Sequence, residues 1–215
     1  MKKILFSLSF IGLLGLTSCS EEDFLEYEPS GSSDLETAIT NEGQLETATL
    51  GMYTRVQSNY VYGNYFITVQ ELLTDNGFVV FDNSNRFTDI YRFEHAAATG
   101  GSIHNMWLMS YRTIAAANLV IEQEGKIEGA SVANNIAEAR AIKALMLFNL
   151  VNYYARPYGT INQDLGVPIP DKIEIALVNR STVSDVYDKI ISDLELAVAD
   201  LTNTNKARIT KEAAY

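Results

Sequence analysis

Four segments of this chain place hydrophobic residues at the three- and four-residue spacing of an amphipathic helix. Capping pairs mark the start of the first and the last segment, Asn41 with Gln44 and Thr182 with Asp185. The predicted helices begin near residues 41, 103, 132 and 182. The pattern therefore predicts an all-α fold, with helices joined by turns and irregular loops.

The third predicted helix is apolar on most sides, so its few polar residues need partners. We expect Arg140 and Lys143 to pair with an acid such as Glu138 or Glu195 rather than to face a cleft. Asn118, on the second helix, is expected to bond to backbone because buried amides need partners. Prolines at positions 168 and 170 predict an extended linker before the fourth helix.

The stretch between the first two helices, residues 60–101, has no sustained helical period. It is predicted to form irregular loops, and its pattern allows one short hairpin. Nine of the chain's 22 aromatic residues fall within 34 residues of this stretch, interspersed with Asn, Asp and Arg. They are Tyr60, Tyr62, Tyr65, Phe66, Phe78, Phe81, Phe87, Tyr91 and Phe93.

This aromatic-rich stretch has two interpretations. Sugar rings present apolar C–H faces and hydroxyl groups, so flat aromatic side chains beside amide, carboxylate or guanidinium groups suit a saccharide. The alternative is that the aromatics pack in the core while Asn and Asp form turns. Taking the set as part of a ligand surface, we name Asp82, Asn85, Arg86 and Tyr91 as candidate ligand-binding residues.

The N-terminus reads as a secretory signal. Lys2 and Lys3 precede a largely apolar run that covers 13 positions, residues 4–16, which is short of the about 20 needed to span a bilayer. Residues 16–19 read Leu-Thr-Ser-Cys and resemble the lipobox of bacterial lipoproteins, in which the cysteine is lipidated and becomes the mature N-terminus. We predict a signal peptide at residues 1–18, with Cys19 as the lipidation site. The alternative is an ordinary signal peptide with a bystander cysteine.

A tether is expected at residues 19–34, in which Cys19 and Ser20 are followed by three acids, Glu21, Glu22 and Asp23. These acids form either a solvated spacer or a signal for display on the cell surface. The whole chain carries a formal charge of −11, and loss of Lys2 and Lys3 with the signal would make it −13. This negative charge argues against a nucleic-acid partner and against electrostatic adhesion to anionic lipids. The membrane is then reached through the lipid anchor alone.

The sequence gives little support for an enzyme or a metal site. The two histidines, His95 and His104, are not at metal-ligand spacing, and the one cysteine allows no disulfide. The chain lacks the nucleophile elbow, the phosphate-binding loop and the dinucleotide fingerprint. Two carboxylates at a suitable separation would suffice for a glycosidase, and 27 acids leave that open. We predict a protein that is not an enzyme and has no cofactor.

Several short motifs, taken in order, resemble the N-terminal part of the SusD-like (RagB/SusD) family. They are DFLEYEP at 23–29, ETATLGMY at 46–53, WLMSYRTI at 107–114, ANLVI at 117–121, AEARAIKAL at 137–145, GVPIP at 166–170 and RSTV at 180–183. The resemblance implies tetratricopeptide-like helix pairs and covers essentially all of the chain after Cys19. It makes residues 35–215 the helical domain, cut short at the C-terminus relative to the family.

The resemblance also implies a function. Such proteins are outer-membrane lipoproteins that cap a SusC-like TonB-dependent transporter and deliver glycans, or sometimes peptides, into it. We therefore expect an oligosaccharide ligand, a SusC-like partner and an anchored position facing the cell exterior. One alternative is a helical-repeat scaffold lipoprotein that binds protein or peptide. A lipid-anchored hydrolase is the other.

Overall fold

The computed structural model describes residues 38–74, 76–94, 101–160, 165–173, 178–204 and 207–215. Regular structure within these ranges is helical, without a strand. The helices are α1 (Glu42–Val56), α2 (Tyr65–Leu73), α3 (Thr88–Tyr91), α4 (Ser102–Ile121), α5 (Val132–Tyr154), α6 (Val183–Asp200) and α7 (Lys211–Ala214). The all-α prediction is confirmed.

Both predicted capping pairs are formed. The side chain of Asn41 accepts a hydrogen bond from the backbone N–H of Gln44 at 3.0 Å, at the start of α1. At the start of α6 the Thr182 hydroxyl accepts from the Asp185 N–H at 3.1 Å, while the Asp185 carboxylate accepts from the Thr182 N–H at 3.2 Å. These bonds satisfy N–H groups that the first turn of a helix leaves without partners, and so they fix where each helix begins.

Helix α5 is the centre of the fold and packs against α1, α4 and α6. Its alanines allow close approach of neighbouring helices, and Ala139, Ala141 and Ala144 are fully buried. Larger α5 side chains, such as Leu147 and Leu150, join buried residues of α4 and α6 in one hydrophobic cluster. The expectation that this helix is packed on most sides is confirmed.

The extended linker predicted at residues 166–170 belongs to a longer segment, residues 165–173, which lies along α4 and is called the strap below. Tyr111 donates to the carbonyl of Pro168 at 2.9 Å, Asn118 donates to that of Pro170 at 2.8 Å, and the N–H of Ile173 donates to Glu122 at 2.9 Å. The helical stretch from Tyr111 to Glu122, which directly follows α4, advances by about 16 Å, and so do the five residues between Pro168 and Ile173 of the strap. The contacts can therefore repeat along the two segments. Asn118 thus bonds to backbone as expected, and that backbone belongs to the strap.

The two cations on α5 have structural partners, but these differ from the acids that the sequence suggested. Arg140 pairs with Glu124 at 2.6 Å, and Lys143 pairs with Asp171 of the strap at 2.8 Å. Glu138 lies two residues from Arg140, a spacing that places the side chains on different sides of a helix. Partner choice here is set by how α4 and the strap pack on α5, which local spacing does not reveal.

The stretch after residue 60 contains a helix where the sequence indicated loops with room for a hairpin. Helix α2 buries Phe66, Val69 and Leu72, which follow one another at three-residue intervals. Nine residues give only two and a half turns, too few for the period to stand out among neighbouring aromatics and β-branched residues. Tertiary burial of this short face, rather than local propensity, makes the segment helical.

Candidate functional site

The candidate loop, residues 76–94, connects α2 towards α4 and is held on the helices by two apolar side chains. Ile90, within α3, is fully buried. The ring of Phe87 lies 4.9 Å from that of Tyr65 on α2, and Tyr65 in turn lies 4.9 Å from Tyr60. These contacts attach the loop to a rigid element and fix its position.

Side-chain to backbone bonds define the turn inside the loop. Asn83 donates to the carbonyl of Arg86, and the hydroxyl of Thr88 donates to that of Asn85 at 3.2 Å. Asn85 and Phe87 both adopt left-handed backbone conformations, with φ of 58° and 56°. Asn tolerates this conformation, whereas Phe adopts it at a cost that its packing against Tyr65 must offset.

All four predicted ligand-binding residues lie in this loop with accessible side chains. Asp82, Asn85 and Arg86 are exposed, and Tyr91 is 39% exposed. Within the described part of the chain, no hydrogen bond or ion pair joins the side chains of any two of them. Their polar groups are therefore available to a ligand, and their role in binding stays a prediction.

The nine aromatics of the stretch divide between the two interpretations. Five pack against other rings: Tyr60, Tyr62, Tyr65, Phe66 and Phe87. The other four are exposed, at 75% for Phe78, 102% for Phe81, 39% for Tyr91 and 62% for Phe93. The packed rings support the loop, and the exposed rings give it an apolar surface that faces solvent.

The loop is close to electrically balanced. It carries two arginines, Arg86 and Arg92, and three acids, Asp82, Asp89 and Glu94, for a formal sum of −1. An anionic ligand would favour clustered cations, and a cationic ligand would favour clustered acids. Exposed rings with balanced polar groups fit a neutral, hydroxyl-rich ligand best.

Several predictions fall outside the described residues. Cys19, the segments 1–18 and 19–34, and His95 are among them. His104 is described and exposed. Over the described ranges, no cluster of three or more His, Cys, Asp or Glu side chains is placed to hold a metal ion. None of the helices there combines the length and the apolar character needed to cross a membrane.

Comparison with known families and proteins gives a consistent result. A SusD-like family model, described as "Starch-binding associating with outer membrane", matches residues 23–215. The SusD-like protein P25 of Formosa agariphila is 27% identical over 216 residues, and a SusD-like protein of Bacteroides ovatus is 28% identical over 234 residues. These matches cover 92% and 100% of this chain but only 39% and 38% of the relatives. The chain therefore spans about two fifths of their length.

Solved structures show the same fold. A SusD superfamily protein from Bacteroides thetaiotaomicron superposes with a TM-score of 0.70 at 24% identity, over 80% of this chain and 40% of that one. A SusD-like carbohydrate binding protein from Bacteroides vulgatus gives 0.71 at 21% identity, over 82% and 40%. At these identities the likeness concerns the arrangement of the helices.

Proposed function

Because this chain belongs to the SusD-like family, whose model is described as starch-binding and associating with the outer membrane, we propose that it binds glycan and delivers it to a SusC-like TonB-dependent transporter. Its fold is the all-α, tetratricopeptide-like fold of that family. The observation that carries the proposal is the candidate loop, in which exposed aromatic rings lie beside exposed polar groups on a firmly held scaffold.

Capture in this proposal is non-covalent. The exposed rings of Phe81 and Tyr91 stack on the apolar faces of sugar rings. Arg86 donates hydrogen bonds to hydroxyl oxygens, Asp82 accepts from hydroxyl groups, and the amide of Asn85 does both. No bond of the glycan is broken, and the ligand leaves unchanged for the transporter.

The proposal is tested by titrating the protein with maltoheptaose, a starch fragment, in a calorimeter. We expect Arg86→Ala and Tyr91→Ala each to weaken binding by about tenfold, as truncation of a central contact does. Both side chains are accessible, so the helical content should not change. Leu196→Ala is the matched control, because Leu196 is 51% exposed and lies on α6 rather than in the loop.

The outcomes of this titration test two statements separately: that the loop is the binding site, and that glycan is the ligand. Glycan binding that both substitutions leave unchanged, with the fold intact, would reject the loop as the site. Failure of the unmodified protein to bind maltoheptaose or other glucans, together with binding of peptides, would favour the scaffold function instead.

The anchor and the partner form the second part of the proposal. We propose that Cys19 is lipidated and holds the protein at the outer membrane, facing the exterior, beside the transporter. Cells given labelled palmitate should label the natural protein, which should co-purify with a large β-barrel protein. The Cys19→Ser protein should not incorporate the label, and its membrane-bound amount should fall by more than about nine tenths, because a single residue carries the acyl chains. Equal labelling of both proteins would contradict the anchor, and isolation without a β-barrel partner would contradict delivery.

A further inference from the structure

A second open surface lies between the C-terminal end of α2 and the C-terminal half of α5. It is a groove of about 300 Å³, at the lower end of the size range of small-molecule sites. Its apolar lining comes from Leu73, Phe148 and Tyr153. Phe148 is 46% exposed although most of α5 is buried. We call this surface the α2–α5 groove.

The aromatic lining is fixed in place. The ring of Tyr153 stacks on Phe66 with centroids 5.5 Å apart and planes 12° apart, and its hydroxyl donates to the Phe66 carbonyl at 2.6 Å. Phe148 meets Tyr187 of α6 edge to face at 6.4 Å. A ligand would therefore find apolar walls that need no rearrangement, which lowers the entropic cost of binding.

The polar lining consists of uncharged groups with unused capacity. Asn149 donates through one amide nitrogen to the Tyr62 hydroxyl at 2.8 Å and to the Leu145 carbonyl at 2.7 Å. Both of its N–H groups are thus engaged. These bonds fix the orientation of the amide, and its carbonyl oxygen can accept a hydrogen bond from a ligand. Asn152 uses its amide nitrogen on the Phe148 carbonyl at 2.7 Å.

Gln70 and Thr74 add the α2 side of this polar lining. No hydrogen bond joins the side-chain amide of Gln70 to another residue of the described ranges. Thr74 accepts from the side chain of Asn76, the first residue of the candidate loop, at 3.1 Å. The groove and the loop therefore share one helix, α2, and are linked at its end.

The groove contains no side chain that is charged at neutral pH. Its lining includes neither an acid nor a base apart from the phenol of Tyr153. Burial, with smaller contributions from Tyr62 and Glu71, raises the pKa of Tyr153 to about 12, so this group stays neutral. A phosphate or carboxylate ligand would need a cation here. Amides, a hydroxyl and aromatic rings fit a neutral ligand with hydroxyl groups and one apolar face.

We propose that the α2–α5 groove binds one or two rings of a neutral saccharide, as a subsite separate from the candidate loop. This proposal rests on the proposed function, because it assumes that glycan is the ligand of the chain. Phe148 provides the stacking surface, the carbonyl oxygen of Asn149 accepts from a sugar hydroxyl, and the free amide of Gln70 both donates and accepts. A glycan seated on both surfaces gains affinity because the second contact is made within one complex.

The test follows the side-chain amide NMR signals of Asn149, Asn152 and Gln70 while the protein is titrated with maltotriose. We expect these signals to shift with a common saturation curve. Gln70→Ala, which changes only an exposed amide, should raise the Kd read from the remaining groove signals by about fivefold. Phe148→Ala should raise it by about tenfold. Leu50→Ala is the control with no expected change, since Leu50 is 49% exposed on α1 and does not line the groove.

The outcomes distinguish the groove from the proposed function. Shifts confined to the loop residues Asn85 and Arg86, with the groove amides unmoved, would reject the groove while glycan binding stands. The groove would also be rejected if the groove amides shift but neither Gln70→Ala nor Phe148→Ala changes the Kd read from those shifts. If neither surface responds to maltotriose or to the longer maltoheptaose, both the groove and the proposed function fail.

Discussion

Replacing Arg208 with Met is expected to lower the free energy of unfolding by about 3–5 kcal/mol, the cost of leaving a buried charge without its partner. Glu138, on α5, is fully buried. Its carboxylate accepts from the Arg208 guanidinium at 2.8 Å, from the Tyr53 hydroxyl at 2.6 Å and from the Asn134 amide at 2.7 Å. Across the described residues, Arg208 is its sole ion-pair partner. Met keeps the apolar stem of the side chain and removes the charge.

Arg208 also joins parts of the chain that are far apart in sequence. It pairs with Glu46 on α1 and donates to the side-chain oxygen of Asn135 on α5 at 3.0 Å. The backbone N–H of Ile209 donates to the Tyr53 hydroxyl at 3.0 Å. One guanidinium thus ties the segment after α6 to α1 and α5. Because no turn or helix repeat connects these residues locally, the network is a tertiary one and its loss should affect the whole domain.

A second substitution gives an independent readout of the same ion pair. Replacing Glu138 with Gln removes the charge that Arg208→Met leaves buried without a cation. The double variant Arg208→Met with Glu138→Gln should recover part of the loss at pH 7. Urea unfolding measures all of these, and an Arg208→Met protein with the parent's midpoint and slope would contradict the prediction.

Most of the fold could be predicted from the sequence because its signals are local. Helices α1 and α6 carry their own caps, and the central helix α5 is marked by a long apolar run. The strap was indicated by Pro168 and Pro170, since proline restricts both itself and the residue before it. The partners of Arg140 and Lys143 were not predictable in this way, because they lie on segments brought together only by packing.

The two candidate surfaces differ in the same respect. The loop can be proposed as a ligand surface from the sequence because aromatics stand among turn-forming residues there, a contrast visible along the chain. The groove cannot be predicted from the sequence, because Phe148, Asn149 and Asn152 lie on a helix whose pattern indicates burial on most sides. Which side of α5 is left open depends on where α2 packs, and α2 itself was not predicted. A surface between two helices cannot be located until both helices are.

The last prediction compares one chemical change at two positions, glycine to alanine. Gly166 is the second residue of the strap. Its N–H donates to the Ser181 carbonyl at 2.7 Å, and its own carbonyl accepts from Arg180 at 2.6 Å. A Cβ at this position would lie 2.7 Å from the carbonyl oxygen of Thr182, the capping residue of α6. Because that neighbour is backbone, relief requires the strap or the start of α6 to move. Gly166→Ala should therefore destabilise the protein by about 1–3 kcal/mol.

Gly51→Ala should have the opposite sign. Gly51 lies within α1, and a Cβ there would meet no heavy atom of the described residues within 4 Å apart from its chain neighbours and the nearby backbone of the helix itself. Alanine is a better helix former and leaves fewer conformations to the unfolded chain, so the gain should be about 0.5–1 kcal/mol. Urea unfolding of the two variants beside the parent measures both effects. Since the added atom is the same methyl carbon, opposite shifts of the midpoint can only come from the surroundings of each glycine. A Gly166→Ala protein as stable as the parent would contradict the close contact with Thr182, and a less stable Gly51→Ala protein would contradict the open position of Gly51.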